Sequence, residues 1–345
     1  MTEDKARSVC KTLLIGALGG AVFQLLGLPL AWMIGPLAAN LLASFAGCRV
    51  EMPGRLREIA LGIMGLMLGS QVTPELATRV VDWPLSLVLL LVGVAVSTGI
   101  VTLWYRRCGF DSTSAVFSAL PGAMGATVLL ADKLGADSRR VAISQSLRIV
   151  LVLLLLPPLF VLYEGGEVVA SGKVAEAAWQ DAWLLPALFI IVPLGRFLKL
   201  PVPSLLAPLI IGSALSIAGI ASLQVPDWGM SLVLLVLGSF IGTRFSGISF
   251  KYLIKFSFHS IVATVLAVLV LAVFAEIIHQ LVGVPRDVAM LAMAPGGMTE
   301  MAALAVALDI DPLFVTFHHL VRLVVLMLVA PFIDKWIRSQ APRHE

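Results

Sequence analysis

Charge is scarce in this sequence. Only 13% of its residues are Asp, Glu, Lys or Arg, about half the usual share of a soluble domain. No stretch of the chain has the composition of a soluble domain, so a folded aqueous module is excluded. The formal net charge is +3, carried by short basic clusters in loops. That excludes the basic face that nucleic-acid binding needs. Cysteine is equally sparse. Cys10, Cys48 and Cys108 cannot all pair internally and have no metal-ligand spacing, which excludes a disulfide framework or a thiolate metal site. The five histidines are His259, His279, His318, His319 and His344. Adjacent residues on a helix point about 100° apart, so His318-His319 makes a poor two-ligand face and no clustered copper site can be assembled. A nucleophile elbow, a phosphate loop and a zinc motif are all missing. The sequence therefore predicts no enzyme, no cofactor and no metal.

What it has in abundance is apolar sequence. Hydrophobic residues make up 59% and mean hydropathy is +1.00. Apolar segments fall at 12–28, 30–47, 56–72, 84–105, 111–133 and 139–162, then at 183–198, 203–221, 229–245, 252–281, 286–308 and 313–334. This is the pattern of an all-α polytopic membrane protein. Lys5, Arg7 and Lys11 followed by an apolar run suggest a signal peptide. The run continues past Leu28-Pro29 without a small-residue cleavage site, so it reads as the first membrane helix. A Gly-containing acidic stretch divides the chain into a first membrane repeat at 1–165, a linker at 166–182 and a second membrane repeat at 183–345.

The halves are related. Pro121-Gly122, Arg148 and Pro157 match Pro295-Gly296, Arg322 and Pro331, all at an offset of 174. Pro29 and Pro36 match Pro201 and Pro208 at 172; Gly65 and Gly69 match Gly238 and Gly242 at 173. Residues 110–157 and 284–331 share 13 identities in 48 positions. Coinciding Pro, Gly, Met and Arg make an internal repeat the reading.

Charge then tests topology. With twelve crossings and the N-terminus inside, Arg49, Arg55, Arg57, Arg106 and Arg107 lie inside. Lys133, Arg139, Arg140, Arg196, Lys199, Lys251 and Lys255 fall outside, against the positive-inside rule. If 111–133 and 286–308 instead enter and leave by one face, every cluster moves inside, as do Lys335, Arg338 and Arg343. The acidic linker and the Asp309/Asp311 loop move to the periplasm. Each half then has five crossings plus a re-entrant or broken Pro-Gly hairpin, and the two repeats are inverted. The three cysteines land in the reducing cytoplasm. Each hairpin arm has about ten residues, or ~15 Å of helix, half the hydrocarbon thickness. The competing reading is a kinked helix that crosses fully.

Duplicated halves carrying LPGAMG…R and APGGMTEMA…R resemble the AbrB-type bacterial membrane protein family, over nearly the whole chain. The resemblance implies a polytopic inner-membrane protein with two copies of one hydrophobic domain; the charge accounting places both termini in the cytoplasm. Labels attached to the family include ammonia monooxygenase and regulator of gene expression. The similarly named soluble DNA-binding regulator has a different fold and is not resembled.

An ionisable residue inside a membrane segment marks a functional site by default. Arg148 and Arg322 lie about ten residues into their helices, near the midplane that the hairpin tips also reach. With Pro121, Gly122, Met124, Pro295, Gly296, Met298 and Thr299 they form the predicted solute-binding set, and helix N-termini after each tip favour an anion. The competing role is that each arginine caps carbonyls of its own hairpin. Glu300 replaces Ala126, and His318-His319 replace Ser144-Gln145. Glu300 and His318, the latter four residues before Arg322 on one face, are the candidate H+- or Na+-coupling groups; a structural Glu300–Arg322 ion pair is the alternative. Gly16-x-x-x-Gly20, Gly65-x-x-x-Gly69 and Gly238-x-x-x-Gly242 predict close helix packing inside one protomer, with homo-oligomerisation the lesser reading. The favoured function is a secondary transporter of a small, anionic solute in the lipid bilayer. The alternative is a membrane-embedded regulator, which short basic loops leave without an evident output surface.

Overall fold

The computed structural model describes residues 3–73, 83–122, 124–163, 181–246 and 250–340. Every regular element among them is helical: α1 (Glu3–Leu25), α2 (Ala31–Phe45), α3 (Gly54–Ser70), α4 (Pro84–Arg107), α5 (Ser112–Ala119), α6 (Met124–Lys133) and α7 (Ser138–Tyr163), then α8 (Leu184–Phe197), α9 (Pro203–Ile217), α10 (Asp227–Gly242), α11 (Phe250–Val282), α12 (Arg286–Met293), α13 (Met298–Ala307) and α14 (Pro312–Gln340). Among the described residues, six stretches are long and apolar enough to cross a membrane, at 4–25, 84–107, 138–160, 227–245, 257–282 and 312–329. Of the acidic linker, residues 166–180 lie outside the described residues.

The helix ends recur at the offsets seen in sequence. Ser112 and Arg286, Met124 and Met298, and Ser138 and Pro312 each start a helix 174 residues apart. Ala31–Phe45 and Pro203–Ile217 begin and end 172 apart. Left-handed backbone repeats as well. The ten described residues with positive φ fall into five pairs at 172 or 174: Gly27/Lys199, Leu30/Val202, Gly47/Gly219, Gly109/Gly283 and Gly135/Asp309. Four of the ten are not glycine. Val202, at φ 47°, is β-branched, for which this region is an outlier. The left-handed turn is thus the same within each pair even where the residue is not glycine.

Two compact units divide the chain, and each takes matching parts of both halves. The first contains α1–α3, α8–α10 and the end of α7 from Leu156. Its helices interlock across the halves: α3 packs on α9, and α2 packs on α10. Glycine makes both contacts close. A Cβ added at Gly65 would collide with the Leu205 carbonyl, and one at Gly238 with the Met33 carbonyl. Gly69 and Gly242 meet Leu209 and Leu37 in the same way, and Gly16 meets Ser239. These glycine pairs thus serve packing within the protomer. Leu66, Leu184, Leu188, Ile191 and Ala207 fill the core beside them.

The second unit contains α4–α6, α7 to Leu155, α11, α12, most of α13, and α14. Here α4 packs on α11, with Leu90, Val94, Leu271 and Ile278 buried at the contact. The helix breaks expected at Pro121-Gly122 and Pro295-Gly296 are present. Their cause is local. Leu120 (φ −57°, ψ 122°) and Ala294 (φ −53°, ψ 137°) precede prolines and are extended, because the proline ring disfavours helical backbone in the residue before it.

Each broken pair folds back on itself. The Asp137 amide donates to Ser114 Oγ at 2.8 Å, Gln145 Nε2 to Phe117 O at 2.8 Å, and Arg148 Nη2 to Leu120 O at 3.1 Å. So α5 and α7 run side by side in one direction, and the chain leaving α6 returns level with the start of α5. In the second copy His319 Nε2 meets Leu291 O at 3.0 Å and Arg322 Nη1 meets Ala294 O at 2.8 Å. These are the same positions, 174 residues on. Asp137 and Asp311 cap the two returning helices, accepting from the amides of Arg140 and Phe314 at 3.0 Å each.

Candidate functional site

The second unit holds every residue that the sequence nominated. An interrupted helix leaves its last carbonyls without donors, and a buried carbonyl left so costs roughly 1–3 kcal/mol. Arginine supplies several N–H groups in one plane. Arg148, 6% exposed, donates from Nη1 to Ala119 O at 3.1 Å and Ser118 O at 3.4 Å, and from Nη2 to Leu120 O at 3.1 Å. Arg322, 2% exposed, donates from Nη1 to Ala294 O and from Nη2 to Gly296 O and to His319 Nδ1, the last at 2.6 Å. Both cations also sit at the negative ends of short helices, α5 and α12.

Three relations differ from the sequence expectation. Glu300 is not among the partners of Arg322. The imidazole bonded to Arg322 is His319, three residues before it, and not His318. The N-terminus of α13 already has a carboxylate: Glu300 lies in its first turn, accepts from Thr299 Oγ1 at 2.7 Å, and leans over Gly297. That places its carboxyl group at the positive end of the helix dipole.

The paired positions before each arginine do matching work. Gln145 and His319, 174 apart, each bond a carbonyl of their own broken helix. The geometry sets the tautomer of His319. A guanidinium can only donate and a carbonyl can only accept, so Nδ1 is bare and Nε2 carries the hydrogen. Satisfaction differs between the copies. Arg148 Nε, Gln145 Oε1 and Ser118 Oγ are buried without a partner.

The remaining nominated residues line the breaks. Pro121, Pro295 and Gly296 are buried, and Gly122 is half-buried. Met298 and Thr299 are each 6% exposed. Met124 opens α6, and its side chain lies outside the described residues. Gly122 borders a cavity of about 260 Å³ lined by Phe117, Leu120, Leu130, Leu326 and, as its one charged residue, Lys133.

Sequence reasoning missed Ser86, although the repeat register marks it. Ser86 and Ser260 are 174 apart. Ser86 Oγ meets His318 Nε2 at 2.8 Å, and Ser260 Oγ meets Ser144 Oγ at 3.4 Å. One contact is made twice, with histidine in only one copy.

Comparison with known proteins agrees with the resemblance seen in sequence. A family model described as transition state regulatory protein AbrB matches residues 32–338. A protein of Escherichia coli (strain K12), named as a candidate regulator AbrB, is 26% identical over 331 residues, covering 93% of this chain and 94% of its own length. The Bacillus subtilis (strain 168) protein YhjN is 28% identical over 349 residues, covering 92% of this chain and 90% of its own.

Proposed function

We propose that this chain, which belongs to the AbrB family, is a secondary transporter of a small solute, an anion by preference, in the bacterial inner membrane. The observation that carries the reading is the buried polar centre: two arginines at two helix breaks, inside a body of apolar helices. Non-helical backbone at membrane depth is tolerated where it is buried in protein or lines a wet cavity, and paired broken helices near the midplane are a transporter design. A membrane anchor or a passive sensor needs neither.

In this reading the repeats are inverted, each with five crossings and one re-entrant hairpin, and both termini are cytoplasmic. The paired helix starts and the five pairs of left-handed residues support a common repeat. The level return of α6 beside α5 supports re-entry. Arg148 is the cation that meets the solute, because its Nε, a donor, and the neighbouring Ser118 hydroxyl still lack partners. Pro121, Gly122, Met124, Pro295, Gly296, Met298 and Thr299 shape the breaks around it. Arg322 fixes the second break. Glu300 and His318 are the groups that couple transport to H+ or Na+.

The printed names of the family and of the Escherichia coli relative favour the second reading, a membrane-embedded regulator of gene expression. Proteoliposomes separate the two. Purified protein is tested with a panel of small organic anions and amino acids under an imposed pH or sodium gradient. Transport predicts gradient-driven uptake of at least one solute. Glu300→Gln should abolish accumulation and leave counterflow largely intact. Neither uptake nor counterflow with any member of the panel would favour the regulator.

A further inference from the structure

His318 stands in a site of its own. Its ring is fully buried on α14. It stacks on Phe314 with centroids 3.9 Å apart, and the rings of Trp83 and Phe317 complete the enclosure at 6.0 Å and 6.2 Å. Aromatic faces attract a cation. Nδ1 lies 2.8 Å from Phe314 O. A carbonyl only accepts, so Nδ1 carries a hydrogen whatever the state of the ring. Nε2 faces Ser86 Oγ, and that same hydroxyl lies 2.8 Å from Trp83 O.

A serine hydroxyl has one hydrogen and two lone pairs. In one arrangement it donates to a bare Nε2, and His318 is neutral. In the other it donates to Trp83 O and accepts from Nε2–H, and His318 is an imidazolium. Both arrangements leave every polar atom of the ring with a partner. We propose that His318 is the proton-binding site of this protein, with Ser86 as the hydroxyl that turns to serve either state. Uptake transfers one proton from a hydronium ion to Nε2 and leaves water, while the serine hydrogen swings from Nε2 to Trp83 O. Release reverses both movements, and no other bond is made or broken.

The neighbouring groups do not offer this. His319 receives the guanidinium at Nδ1 and gives its hydrogen to Leu291 O. A second proton there would set N–H against N–H, beside a fixed charge. α14 packs on α4 and α12. From α4 and the residue that precedes it come Ser86 and Trp83, neither of which titrates. The charged residues of α12 are Arg286 and Asp287 in its first turn, and Arg286 is paired with Glu276 of α11 at 3.0 Å. On α14 itself the titratable neighbours are His319 and Arg322, with Asp311 at the helix cap. The other copy of the contact, Ser260 with Ser144, has no imidazole, so this contact takes up a proton in one copy and not in the other. The role of that proton as coupling ion rests on the transport reading above; the binding site does not.

The test is 15N NMR of imidazole-labelled, full-length protein in lipid nanodiscs from pH 8 down to the lowest pH at which the protein stays folded. His318→Gln and His319→Gln provide the assignments, and Ser86→Ala provides a second route if either fails to fold. The bare Nε2 resonance of His318 should convert to a protonated one as pH falls, while His319 keeps its neutral Nε2–H form throughout. Ser86→Ala should cut the protonated-to-neutral ratio several-fold at the pH where the wild type is half protonated. The reason is that a charged donor forms the stronger of the two hydrogen bonds. A His318 that stays neutral across the range in folded protein, or a Ser86→Ala variant that titrates as wild type does, overturns the proposal. Titration without gradient-driven uptake in liposomes would sink the transport reading and leave the proton site standing.

Discussion

Replacing Arg322 by lysine keeps the charge and removes the fork. In the structure one guanidinium serves Ala294 O, Gly296 O and His319 Nδ1. These three acceptors lie in different directions around a planar group, and a single ammonium on a shorter reach can satisfy one of them well. Two charge-assisted hydrogen bonds are then lost, at roughly 1.5–3 kcal/mol each. Local relaxation recovers part of this, leaving a loss of about 3 kcal/mol. Unfolding entropy of roughly 2.1 cal/mol/K per residue over 345 residues converts that to a fall of about 4 °C in the midpoint. Thermal unfolding in detergent, followed by tryptophan fluorescence, measures it. Arg148→Lys should cost less, because its three carbonyl contacts are longer, at 3.1–3.4 Å. Its main effect should be on solute binding. An Arg322→Lys protein with an unchanged midpoint and lost solute binding would refute the argument, and would mean that this guanidinium is held for a ligand.

Gly65→Ala and Gly238→Ala each push a methyl group onto a backbone carbonyl of the facing helix and should cost about 1–3 kcal/mol. Gly99→Ala, with open space around the new methyl, should be neutral or gain about 0.5–1 kcal/mol in helix propensity; the same thermal assay ranks the three. Single cysteines at positions 107, 133 and 139 should all be protected from an impermeant thiol reagent in intact cells. Labelling at 139 with protection at 107 would restore a full crossing for 111–133.

Much of this architecture was legible in the sequence because its causes are local. Pro121-Gly122 and Pro295-Gly296 break helices wherever they stand, by ring sterics and a missing amide hydrogen. The break therefore appears in both apolar segments that carry it. Asp137 and Asp311 cap helices through their own next turns. Leu30, Lys199, Val202 and Asp309 were not legible as left-handed residues, since none is glycine and only the turn they inherit holds them there.

The site shows the same division. Arg148 and Arg322 were found from the sequence by their register alone. Whether Arg322 would take Glu300, His318 or backbone carbonyls was not decidable from it. Residues three and four apart on a helix are both neighbours of the arginine, and only the rotation of α14 against α12 selects His319 and sends His318 toward Ser86 of α4. By itself, then, the sequence determined an apolar, helical chain whose halves match in register, with two proline-broken segments and an arginine beyond each, because composition, proline and spacing act within a few residues. The tertiary structure decided that each compact unit takes elements from both halves, that three carbonyls meet Arg148 and two carbonyls and an imidazole meet Arg322, and that one histidine is locked while its neighbour faces a hydroxyl free to turn. Those outcomes depend on which helix faces meet, and that is settled by packing between residues far apart in the chain.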